Sequence, residues 1–331
     1  MSATFDDQWL CERILVNDVH VAADEILSLY KDKILRAAPS ESEVLYTVAP
    51  DIVAPSRADV SLETNLRAYF DLSLEQYPAW TNLETIGRVH AFFSFNHSMA
   101  LGPWAAYLLA PGRPRCMVLH FDAHDDLASP KVGATQTRGV FAAPVGRATL
   151  DLRDGATIEE FVRRGFVGIG SFIVPLLHTV EELDLIHIDR EAPETVQSFA
   201  IAPDWESYQT FTGTGISRPK VRLDASLEAA RLSYMRTSDV RRALEHAAGR
   251  DVILDIDLDY FCNAFDNNAP PNTTALLSVD QVTCMIEELG ENLNASGVVP
   301  SLVTIALSPG FFPSDYWKSA LKVLRHMLAK I

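Results

Sequence analysis

The sequence is short of the features that sort chains most quickly. Its 331 residues hold four cysteines, Cys11, Cys116, Cys262 and Cys284, with no CxxC pair among them. That spacing argues against a zinc ribbon or a disulfide framework, and the thiols read as reduced. Positive charge is scarce: 28 Lys and Arg face 44 Asp and Glu, a net −16 with no basic cluster. Nucleic acid and anionic membrane surfaces are poor matches for such a chain. No glycine-rich phosphate cradle is found, which disfavours a phosphatase or a nuclease. The longest apolar run, Gly165 to Leu177, is too short to span a bilayer and contains Pro175. The opening MSATFDDQWL lacks a cationic stretch followed by an apolar one. A cytoplasmic location is therefore expected, with the sequons at Asn272 and Asn294 carrying no sugar.

What is present is a strand and helix alternation. Hydrophobic residues make up 48% of the chain, enough for a sizeable core. The spacing at 22–38 and 61–74 predicts helices, with a proline-punctuated loop over 48–60 between them. From residue 88 the pattern sharpens. RVHAFFSF reads as a strand, MALGPWAAYLLA as a helix and CMVLHF as a second strand. Farther on, Ser238 is placed to cap the helix DVRRALEHAA, Gly249 to stop it, and DVILDIDLDYF to follow as a strand. Ser278 and Gln281 form a capping box, PSLVTIALSPG reads as a buried strand, and Ser314 is placed to cap the final helix. The expected fold is one α/β domain over 1–331, a three-layer sandwich with a mostly parallel sheet and helices on both faces.

Three of these strands end in ionisable residues: His97 after the first, Asp122, His124 and Asp126 after the second, and Asp255, Asp257 and Asp259 along the third. Parallel strands deliver their carboxyl ends to one edge, where ligands bind in such sheets. So many carboxylates in an apolar cleft would repel one another unless cations sit among them. Carboxylate oxygens with one imidazole per ion suit two Mn2+ ions most naturally. Alternation along an extended strand would put Asp257 and Asp259 on one face, with Ile256 and Leu258 on the other.

The segment DAHDDLASP resembles the DAHxD signature of the arginase/agmatinase (ureohydrolase) superfamily. DIDLDYFCNAF resembles its SxDxDxxDPAF segment, and FNHS its GGDHS segment. The resemblance covers about 88–310, leaving 1–85 as an unmatched elaboration. It implies one Mn2+ on His97, Asp122, Asp126 and Asp257, and a second on Asp122, His124, Asp257 and Asp259. Asp122 and Asp257 would bridge, and Asp126 would also orient the attacking water as the catalytic carboxylate. In this register Asp255 takes the place of the family's serine, behind the ligands; a slip of two would make Asp255 and Asp257 the ligands.

The departures bear on substrate. Ala128 stands where free-arginine enzymes carry an asparagine for the α-carboxylate, and Ala306 where the family carries a glutamate facing the guanidinium. The histidine expected soon after DAHxD is missing from 127–145. This combination is similar to peptide arginases, which convert arginine within a ribosomally made peptide to ornithine and urea. An arginine-containing peptide is thus the expected partner, with self-association left open. Asp266, Glu159 and Glu160 are candidates to pair with the guanidinium, and His178 is a candidate shuttle that reads more readily as structural. A zinc deacetylase-like amidohydrolase and an inactive, metal-stabilised binding protein are the rival readings.

Overall fold

The computed structural model describes residues 12–16, 33–39, 44–50, 54–113, 115–144, 147–209, 215–225, 230–265 and 277–331. They fall into two compact units, the smaller drawn from Met1–Asp51, Asp126–Thr179 and Pro203–Val221, the larger from Ile52–Asp125, Val180–Ala202 and Arg222–Ile331.

The larger unit is built on six parallel strands: β1 (Val89–Ser94), β2 (Cys116–Phe121), β3 (Leu183–Ile188), β4 (Leu232–Thr237), β5 (Asp251–Asp257) and β6 (Leu302–Ala306). Their spatial order is β4-β3-β2-β5-β6-β1. Thr81–Ile86 adds antiparallel to β1, and the start of Gln197–Gln209 adds antiparallel to β4. The chain builds outward from β2 through β3 to β4, then returns to lay β5 and β6 on the other side. Strand order therefore reverses between β2 and β5, which opens a crevice at their carboxyl ends.

Alternation sorts the two faces. Met117, Leu119, Phe121, Val252, Leu254 and Ile256 are almost wholly buried on one of them. Helices α2 (Val240–Ala247), α3 (Val279–Ser296) and α4 (Trp317–Leu328) cover that face. Each such side chain contributes roughly 1.5–3 kcal/mol of burial. On the other face lies α1 (Leu101–Leu108), whose Trp104 Nε1 donates to Thr304 on β6 at 3.0 Å. The expected α/β architecture, a mostly parallel sheet between helices, is the one observed. Among the described residues no helix is long and apolar enough to cross a membrane.

Local chemistry sets the element ends. Ser278 and Gln281 make the full capping box of α3, and Gly297, at φ +67°, closes it in the left-handed region. Four expectations need correction. Lys33–Pro39 is a strand, because it pairs antiparallel with Val44–Pro50, and that pairing overrides a helical spacing; residues 22–32 lie outside the described ones. The 48–60 segment is not all loop: Val44–Pro50 is a strand and Ala54–Ala58 a short helix. Asp239, not Ser238, caps α2, its carboxylate accepting from Arg242 N at 3.1 Å. Ser314 does not cap α4; it opens a 3-10 turn, its N–H donating to Asp59 and its hydroxyl accepting from Asn65.

Candidate metal centre

Each strand end hands over its polar side chain in a different way. After β1, Asn96 accepts from Ser98 N at 3.1 Å, which starts the turn His97–Ala100 and buries His97. After β2, the Asp122 carboxylate accepts from His124 N at 2.7 Å and folds the chain back on itself. β5 does not continue through Asp259 as an extended strand. Asp257 accepts from Asp259 N at 3.0 Å and starts a 3-10 turn over Leu258–Tyr260. The same-face argument for Asp257 and Asp259 therefore fails, yet the tight turn still carries Asp259 Oδ2 to 3.2 Å from His124 Nδ1.

The result is a buried group at the strand-order reversal. Asp122, Asp255, Asp257 and Asp259 are each under a twentieth exposed, as is His97. His97 Nδ1 lies 3.0 Å from Asp122 Oδ2 and 3.1 Å from Asp257 Oδ2. His124 Nδ1 lies 3.4 Å from Asp122 Oδ1, and its side chain is 38% exposed, the open side of the group. Ser308, at φ +44°, donates to Asp257, and Phe311 packs edge-on to His124 with centroids 5.6 Å apart. Asp125 is exposed. Asp126 is buried in the smaller unit with left-handed backbone, φ +52°.

Within the larger unit two sets of donors reach metal-binding spacing: Asp122, His124 and Asp259, and His97, His120 and Asp255. They differ in kind. In the second set Asp255 Oδ2 is 2.9 Å from His97 Nε2 and 2.7 Å from His120 Nδ1, which are hydrogen-bond distances already filled by protons. The first set is looser, with His124 Nδ1 at 3.4 Å from Asp122 Oδ1 and 3.2 Å from Asp259 Oδ2. Asp122 Oδ2 is buried and completes no hydrogen bond among the described residues, although His97 Nδ1 lies 3.0 Å from it. An orphaned carboxylate oxygen beside two more carboxylates and an imidazole is a donor set that fits a divalent cation.

Electrostatics mark the same spot. Burial pushes Asp259 well above the carboxylate range, and the charges of Asp257 and Asp122 push it further. Burial would also raise Asp122, but the hydrogen bond from His124 and the neighbouring imidazole of His97 hold it well below the usual value. Hydrogen bonds to Asp122 and Asp259 push His124 up to about 12. Asp255 is held at about 2 against its burial, chiefly by the charge of His97 and the hydrogen bond from His120. Like charges are thus being balanced here by protons.

Sequence reasoning missed His120, His187, Thr304 and Ser308. His120 sits inside an apolar strand, yet the two-residue period that placed Asp122 also places His120 on its face. His187 Nε2 donates to the Asp122 carbonyl at 3.0 Å while Nδ1 accepts from Tyr234 OH at 2.8 Å; burial and the charge of His120 push it down to about 4. Some expected residues are engaged elsewhere. Glu159 and Glu160 pair along their own helix with Arg163 and Arg164, at 4.0 and 3.0 Å. His178 packs on Trp205 and reaches the Lys220 carbonyl at 2.8 Å. Asp266 lies outside the described residues.

No family model matches the chain, and no curated protein does. Among solved structures it is similar to an arginase from Helicobacter pylori, at 12% identity over 72% of each chain, with a TM-score of 0.33. So loose a likeness leaves the site's own geometry to carry any functional reading.

Proposed function

We propose that the chain is a metal-dependent hydrolase of guanidinium groups that holds two divalent cations, Mn2+ by donor chemistry. Its substrate is arginine within a peptide, and water converts that side chain to ornithine and urea. The observation that carries the reading is the buried aspartate group at the β2/β5 crevice, with Asp122 Oδ2 orphaned and no Lys or Arg counter-ion among the described residues.

The proposed ligands are His97, Asp122, His124, Asp126, Asp257 and Asp259, with Asp255 behind them. Bound cations would supply a water acidified to near neutral pH and a positive field over the reacting carbon. Asp122 and Asp257 approach His97 Nδ1 from two directions and are the proposed bridging carboxylates. Ser308 fixes one oxygen of Asp257, leaving the other for coordination. Asp126 is the proposed group that orients the water. His124 and Phe311 form a wall on the exposed side, where a flat guanidinium can lie against the rings.

The substrate class rests on the two departures. Ala128 is exposed and offers no side-chain donor for a free α-carboxylate. Ala306 ends β6, is 1% exposed and can place no carboxylate over the crevice. The test is to incubate the purified protein and Mn2+ with arginine-containing peptides and with free arginine, following peptide mass and urea. Loss of CH2N2 per arginine with matching urea is expected. Turnover of free arginine alone would sink the peptide assignment, and bound metal without urea from any guanidine would sink the hydrolase. Ala306 also favours a second reading, a metal-stabilised binding protein. Its signature is a metal-dependent rise in Tm with every guanidine unchanged.

A further inference from the structure

We infer that His120 is a positioning residue that ties both histidines of the metal group, His97 and His124, into one hydrogen-bonded frame through Asp255. The inference rests on the metal reading above. An imidazole that binds a cation through Nδ1 must carry its proton on Nε2, and whatever accepts that proton fixes the tautomer and the ring plane. For His97 the acceptor is Asp255 Oδ2, at 2.9 Å. The same oxygen lies 2.7 Å from His120 Nδ1, and Thr304 donates to Oδ1.

This arrangement is written into the sheet register. Asp255 of β5 stands opposite His120 of β2 on one side and Thr304 of β6 on the other. All three are at most 1% exposed, and Trp104 Nε1 locks Thr304 from α1. The other ring nitrogen of His120 lies 3.2 Å from the His124 carbonyl oxygen. The Asp255 carboxylate and the His124 carbonyl are both acceptors, and a ring nitrogen meets an acceptor by donating. One side thus orients His97 through Asp255, and the other holds the backbone that presents His124. The His120 ring also stacks on His97 with centroids 5.6 Å apart and lies 5.3 Å from that of His187, so it has no room to turn.

The test measures metal, not turnover. Mn2+ is titrated into metal-free wild type, His120→Leu and His120→Gln, with stoichiometry, affinity and metal-free Tm recorded for each. His120→Leu is expected to weaken Mn2+ binding by about 10–100-fold. His120→Gln, which keeps one donor toward Asp255, is expected to recover part of that loss. A purely structural histidine would lower metal-free Tm in both variants and leave the affinity of the folded protein at the wild-type value, and that result overturns the inference. Should His120→Leu fail to fold, Asp255→Asn decides: it keeps the shape but weakens the acceptor, and unchanged affinity there also overturns it. Wild type that binds no Mn2+ at all would refute the metal reading itself, an outcome separate from wild type and variants binding alike.

Discussion

The two edges of one sheet treat a buried aspartate in opposite ways. At the amino edge Asp184 accepts from Arg115 at 2.8 and 2.6 Å, and also from Arg250 and Ser233. At the carboxyl edge Asp122 is just as buried, yet it meets imidazoles and other carboxylates and keeps an orphaned oxygen. The amino edge is electrically complete as the chain folds. The carboxyl edge is balanced only by protons, and on the proposed metal reading the difference separates a carboxylate that holds the fold from one that would hold an ion.

The comparison can be broken most severely at Asp122. Asp122→Asn should cut Mn2+ affinity by at least ~100-fold and abolish urea release, with the metal-free Tm little changed. Full metal content and activity in that variant would erase the distinction between the edges. Asp184→Asn should do the reverse. Removing one partner of a fully buried ion pair costs about 3–5 kcal/mol. Because Arg115 and Arg250 are about a third exposed, the cost here should fall below that, read as a lower denaturation midpoint in urea, while Mn2+ per folded chain stays unchanged. The smallest effect is on pH. Burial would raise Asp184, but hydrogen bonds from Arg115, Ser233 and Arg250 hold it below its ordinary value. Its contribution is present above about pH 3.9 and is lost as pH falls through the depressed folded value. Asp184→Asn should therefore flatten the acid limb of a Tm-against-pH curve by a few degrees at most. An unchanged limb would show that Asp184 is not one of the groups whose protonation opens the fold.

Much of this was legible in residue patterns. Cys116–Phe121 is marked by an apolar run broken only at His120, and the capping box at Ser278 by its spacing, because both rest on local chemistry. The strand at Lys33–Pro39 was not legible, since its pairing with Val44–Pro50 decides the matter and pairing is not local. The Asp257–Asp259 turn was misread for a subtler reason. The carboxylate that marks the site also caps the turn that ends the strand, so one side chain carries two signals. His120 was hidden by its neighbours: Leu119 and Phe121 look like core, and nothing in a single strand says that Asp255 lies across from it.

The strand-order reversal also dictates when the centre can exist. His97, Asp122, Asp257 and Ser308 come from four separate strand ends, and the crevice closes only once β5 and β6 have been laid beside β2 and β1. On the proposed reading each ion draws ligands from more than one of these strand ends. On that reading loading is expected to follow assembly, so that a cation would not template the fold from within. In refolding from denaturant, the rate of sheet formation should not depend on Mn2+ concentration, while the final unfolding midpoint should climb with it. The ion would then act as a latch fitted to a finished frame, rather than as a seed around which the frame grows.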